Sequence, residues 1–130
     1  MRGSETILLT EDEPAVRHLV ATSLRQLGYT VLEADGGATA QRLAAEHQGP
    51  LDLLLTDVVM PNVGGRTLAD ALRQARPGLR VLFMSGYTSD ALVRQGIEAS
   101  RVAFIHKPFT PQSLAQKIRE VLGSQVEHAP

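Results

Sequence analysis

The sequence predicts an α/β domain, a parallel sheet with helices on both faces, built from five strand–helix units, (βα)5. Three observations predict it. Short, nearly continuous apolar runs recur along the chain, which suits strands covered on both faces. Stretches with apolar residues at helical spacing lie between those runs. The 130 residues, 43% of them hydrophobic, make one domain with no spare segment for a second.

Ile7-Leu8-Leu9-Thr10 is the first run, and it ends in Glu11-Asp12-Glu13. A helix follows, with Val16, Leu19, Val20, Leu24 and Leu27 on its apolar face and Gly28 as its stop. Tyr29 to Ala34 is a weaker, alternating strand, followed by a helix from Ala38 to His47. Leu51 to Thr56 is a strong strand ending in Asp57, followed by a helix over Thr67 to Arg76 that Pro77-Gly78 stops. Val81-Leu82-Phe83-Met84 ends in Ser85-Gly86, with a short helix over Asp90 to Gln95 behind it. Val102-Ala103-Phe104-Ile105 ends in His106-Lys107-Pro108. The last helix has the clearest start, with Thr110 as cap and Pro111 at the first helical position. Leu114, Ile118, Val121 and Leu122 line one face, and Gly123 is its expected end. The domain is expected over residues 5–123, with 1–4 and 124–130 as flexible tails.

Composition excludes several functions. With 13 basic and 14 acidic residues the formal charge is −1, so direct nucleic-acid binding is not expected. The absence of cysteine excludes disulfides, thiolate metal sites and a cysteine nucleophile. No apolar run approaches the roughly 20 residues of a membrane span. A cytoplasmic protein that does not itself bind membranes is the expectation. Lysine is scarce: only Lys107 and Lys117 accompany eleven arginines.

In open α/β sheets, ligands bind beyond the carboxyl ends of the strands. There stand Glu11, Asp12, Asp57, Ser85 and Lys107. Each has a plainer reading alone. Acidic residues after a strand often cap helices, a serine before glycine often makes a turn, and a lysine is often at the surface. Asp57 is harder to dismiss, because it lies between two apolar stretches and a buried carboxylate without a partner is costly. Together the five groups change the balance. Close carboxylates need a proton or a cation between them. Oxygen ligands without thiolate favour a hard ion such as Mg2+. A carboxylate beside that ion can attack phosphorus, with a lysine and a hydroxyl for the phosphoryl oxygens.

These residues resemble the response-regulator receiver domains of bacterial two-component signalling, a CheY-like superfamily. The matching stretches are residues 7–13, residues 52–61 with Gly65, Met84-Ser85-Gly86 and Lys107-Pro108-Phe109. The resemblance implies a flavodoxin-like three-layer fold with strand order 2-1-3-4-5, an order for which receiver proteins are a standing example. It also implies roles. Asp57 would be the phosphoacceptor. Asp12, Asp57 and the backbone carbonyl of Val59 would bind Mg2+, with Glu11 helping. Lys107 and Ser85 would contact the phosphoryl group, and a cis Lys107-Pro108 bond would hold Lys107 in the cleft. Ser85 and Phe104 would form the switch. Val59 and Tyr87 would flank the attacking water, and an apolar residue at 59 implies slow hydrolysis.

The implied phosphodonor is a histidine kinase or a histidine phosphotransfer protein, and the output a downstream protein target on the surface of residues Asp90 to Leu122. Such a domain is a signalling switch and not a turnover enzyme, as a monomer or weak homodimer. Details around Gly3 to Leu9, Val81 to Thr88 and Lys107 to Thr110 are similar to receivers fused to hybrid sensor histidine kinases, and a stand-alone regulator reads almost the same. A flavin-binding protein would need hydroxyls where Glu11-Asp12-Glu13 stands, and an aspartyl phosphatase would need an acid at Val59. The remaining alternative is an interaction module of the same fold that takes no phosphate.

Overall fold

The structure, a computed structural model, describes residues 3–60, 62–85 and 103–126. Its elements are β1 (Thr6–Thr10), α1 (Pro14–Gln26), β2 (Thr30–Ala34), α2 (Gly37–Glu46), β3 (Leu53–Asp57), α3 (Gly65–Ala75), β4 (Arg80–Ser85), β5 (Ala103–His106) and α4 (Pro111–Val126). The five strands form one parallel sheet in the order β2-β1-β3-β4-β5. The helix expected at Asp90 to Gln95, and Tyr87, lie outside the described residues.

Alternation along the strands sends successive side chains to opposite faces. Leu8, Leu54, Val81 and Phe83 pack with Ala40, Ala44, Leu68, Ala69 and Leu72, so α2 and α3 cover one face. Ile7, Leu9, Leu53, Leu55, Leu82 and Met84 pack with Val20, Ala21, Leu24, Leu114, Ile118 and Leu122, so α1 and α4 cover the other. This two-sided burial is why the strands read as unbroken apolar runs. Each fully buried leucine or isoleucine contributes about 1.5–3 kcal/mol.

Two expectations are corrected. Leu19 is 64% exposed, not part of the buried face of α1. Val16, Val20, Leu24 and Leu27 already form the stripe against the sheet, and Leu19 lies about 100° around the helix from Val20. The final helix also runs past Gly123, its expected end, to Val126. A glycine ends a helix by taking a left-handed conformation. Gly28 does so at φ 101° and α1 stops before it, whereas Gly123 is not among the positive-φ glycines. A glycine inside a helix costs about 1 kcal/mol relative to alanine without breaking it. The other end of α4 forms as expected. The Thr110 hydroxyl accepts from the Ser113 amide at 3.0 Å, and the Ser113 hydroxyl accepts from the Thr110 amide at 3.1 Å. Ahead of β1, the Gly3 amide donates to Leu27 O at 3.0 Å. No helix among the described residues is long and apolar enough to cross a membrane.

Candidate functional site

Strand register builds the site. Thr10 pairs with Thr56, Asp57 with Met84 and Ser85 with His106. The ends of β1, β3, β4 and β5 therefore stand side by side, and the residues at or just beyond them lie along one edge of the sheet. The structure brings together Glu11, Asp12, Asp57 and Lys107. Lys107 Nζ lies 2.6 Å from Glu11 Oε1 and 2.6 Å from Asp57 Oδ1. The bond between Lys107 and Pro108 is cis.

Burial sets the electrostatics. Glu11 and Asp57 are only 1% and 5% exposed, while Asp12 is open to solvent. Burial, and then the neighbouring Glu11 carboxylate, push the Asp57 carboxyl up to about 8 against the pull of Lys107. Burial also opposes ionisation of Glu11, but hydrogen bonds from Asp57 and Lys107 outweigh it and hold Glu11 below its ordinary range. Burial works against the Lys107 ammonium as well, and its two carboxyl partners overcome that and raise it. Two carboxyls thus crowd one ammonium, and the burden of that crowding falls on the Asp57 carboxyl, which is raised.

Three buried polar atoms have no hydrogen-bond partner among the described residues: Thr10 Oγ1, Asp57 Oδ2 and Ser85 Oγ. Such atoms are uncommon in native interiors, and all three lie at this edge of the sheet. One carboxylate oxygen each from Glu11, Asp12 and Asp57 lie within 4.8 Å of one another. An all-oxygen donor set with one oxygen unsatisfied fits a hard divalent cation.

The backbone approaches Asp57 closely too. A Cβ on Gly65 would stand 2.0 Å from Asp57 O, so only glycine lets α3 begin there. The Gly65 amide donates to Val58 O at 2.8 Å, closing the turn under the cleft.

Other expected site residues stand apart. Val59 is 57% exposed beside Asp57. Phe104 is half-buried against the α2/α3-side core and meets His106 edge-on, with ring centroids 5.0 Å apart. Sequence reading passed over Arg17, which donates through Nη1 to Glu11 O at 2.8 Å. Its position one turn into the helix after the acidic run was visible, but a backbone carbonyl partner leaves no mark in sequence.

The family profile described as response regulator receiver domain matches residues 7–119. The chain is 40% identical over 125 residues to the sensor kinase CckA of Brucella abortus, covering 96% of this chain but 13% of that kinase. It is 35% identical to the response regulator receiver protein CpdR of the same organism, covering 89% of this chain and 95% of that one. The crystal structure of the receiver domain from the hybrid histidine kinase CckA superposes with a TM-score of 0.74 at 36% identity, covering 90% of this chain and 98% of that one. Sheet order and profile agree, and the chain belongs to the response regulator receiver domain family of two-component signalling.

Proposed function

We propose that this chain accepts a phosphoryl group on Asp57 from a phosphohistidine of a histidine kinase or histidine phosphotransfer protein. A carboxylate oxygen of Asp57 bonds to phosphorus as the P–N bond breaks, and the freed imidazole takes up a proton. Glu11, Asp12, Asp57 and the Val59 carbonyl would hold Mg2+, which when bound offsets negative charge on the phosphoryl oxygens. Lys107 supplies a fixed cation at the acceptor. Ser85 offers a hydroxyl to a phosphoryl oxygen. The observation that carries this reading is the buried Asp57, paired on one oxygen with Lys107 and unsatisfied on the other.

Phosphorylation then shifts a two-state equilibrium. The phosphoryl group biases it only through contacts that differ between the states, here those of Ser85 and Lys107, with Phe104 following Ser85. The surface of residues Asp90 to Leu122 is the proposed output, read by a downstream protein in the cytoplasm. The step is a switch and not turnover of an external substrate. Val59 is too apolar to orient water, and with Tyr87 it makes the phosphoryl group long-lived.

Mass spectrometry tests the assignment. With Mg2+ and a small phosphodonor the chain should gain one phosphoryl group, and Asp57→Ala should gain none. A gain that persists in Asp57→Ala would sink the acceptor assignment. The same sample followed in time should keep its phosphoryl group for minutes or longer, and a lifetime of seconds would refute slow hydrolysis. An interaction module that takes no phosphate would show no gain at all.

A further inference from the structure

Arg17 joins the acidic loop to a neighbouring strand. Its Nη1 donates to Glu11 O at 2.8 Å, and its Nε lies 3.8 Å from Glu33 Oε1. Glu33, in β2, is itself held by Arg25 Nη1 at 2.8 Å on its other oxygen. The side chains of Arg17 and Glu33 are 21% and 29% exposed, so this chain of contacts is partly shielded from water.

The carbonyl that Arg17 grips belongs to the peptide joining Glu11 to Asp12. That peptide is planar, so holding its oxygen holds the plane from which the Asp12 side chain departs. The remaining groups of Glu11 are held too. Its amide donates to Ala34 O at 3.1 Å, Oε2 accepts from the Glu13 amide at 3.1 Å, and Oε1 accepts from Lys107. Without Arg17 the Glu11–Asp12 peptide would lose a charge-assisted hydrogen bond, the stronger kind. Asp12, exposed to solvent, would then depend on backbone order it no longer has.

We propose that Arg17, braced by Glu33, is a positioning residue that fixes the Glu11–Asp12 peptide and so sets the affinity of the Asp57 site for a divalent cation. The inference rests on the reading that Glu11, Asp12 and Asp57 hold such a cation. Charge alone predicts the opposite sign. Arg17 is a cation near the acid cluster, so its removal would strengthen Mg2+ binding by relieving repulsion. If Arg17 acts by position, its removal weakens binding.

The experiment is a Mg2+ titration of the whole chain without phosphodonor, followed by amide NMR shifts of residues around Asp12 and Asp57. Arg17→Met should weaken Mg2+ binding about tenfold while the β3 and β4 amides keep their dispersion. Arg17→Lys keeps the charge but cannot span Glu11 O and Glu33 together, and it should fall between the two. An affinity in Arg17→Met that rises, or changes less than twofold, overturns the proposal. Should Arg17→Met lose its dispersed spectrum, Arg17→Lys decides: a loss of twofold or more supports the positioning role, and an unchanged affinity overturns it. An unaltered chain that gives no Mg2+ response overturns the cation-site reading, and this proposal with it.

Discussion

The two ends of the sheet handle charge in opposite ways. At the end where the strands begin, Arg119 Nη1 meets Glu5 at 2.9 and 3.1 Å and Tyr29 Oη at 3.2 Å. One guanidinium serves one carboxylate, and each side chain is about a quarter exposed. At the end where the strands finish, one ammonium serves two carboxyls that are almost wholly buried, and three polar atoms there lack partners among the described residues. The first arrangement is complete and ties α4 to the residue just before β1. The second is incomplete, and incompleteness of this kind is costly unless a ligand completes it. Both ends also bring backbones too close for a side chain. A Cβ on Gly28 would meet Gly3 O at 2.4 Å, and one on Gly65 would meet Asp57 O at 2.0 Å. The first close approach joins two loops, while the second supports the proposed acceptor.

The largest effect that would break this contrast is Gly65→Ala. The added methyl must push α3 or Asp57 aside, which should cost about 2–3 kcal/mol. Phosphoryl uptake should fall with it, because Asp57 moves with its own carbonyl. Urea unfolding and mass spectrometry together check this, and a variant of unchanged stability and uptake would show that the contact relaxes freely.

The next effect is a gain. In metal-free buffer, Asp57→Asn should stabilise the fold at neutral pH by at least about 1 kcal/mol. The sign follows from the raised carboxyl, at about 8 in the folded chain against about 3.9 unfolded. Between those values the folded chain holds a proton that the unfolded chain has lost, so stability falls as pH rises. The advantage of Asn should therefore grow from pH 4 to pH 8 and vanish near pH 4. An advantage independent of pH would place its cause elsewhere.

The smallest effect belongs to the complete end. Arg119→Ala should cost only about 0.5–1 kcal/mol, and less in high salt. Burial resists the charge on Glu5, but its hydrogen bonds to Arg119 prevail and lower its pKa. A lowered carboxyl stabilises the fold above its unfolded pKa, and that contribution is lost as pH falls through the folded value. Thermal melts at pH 7 should separate the variant from the parent, and the gap should narrow as pH falls below the ordinary carboxylate range.

Much of this was legible beforehand for identifiable reasons. Leu53-Leu54-Leu55 could only be a strand covered on both sides, and Thr110-Pro111 could hardly be other than a helix start. Glu11, Asp12, Asp57, Ser85 and Lys107 were conspicuous because polar groups directly follow apolar strands. Leu19 was misread because a spacing rule does not tell which of two adjacent apolar residues faces the sheet. Gly123 was misread because a glycine stops a helix only in a conformation that composition does not dictate. Arg17 was passed over because its partner is a carbonyl, common to every residue.

By itself, the sequence determined the alternation of strands and helices, the aliphatic core and the kinds of group at the strand ends, since all of these follow from local pattern and side-chain chemistry. Tertiary structure decided that Lys107 reaches Glu11 across 96 residues, and that it binds Asp57 as well. It also decided that burial raises the Asp57 carboxyl, and that Arg17 grips the peptide beside Asp12. Those outcomes depend on distance and burial, which arise only when the sheet sets β1, β3, β4 and β5 side by side.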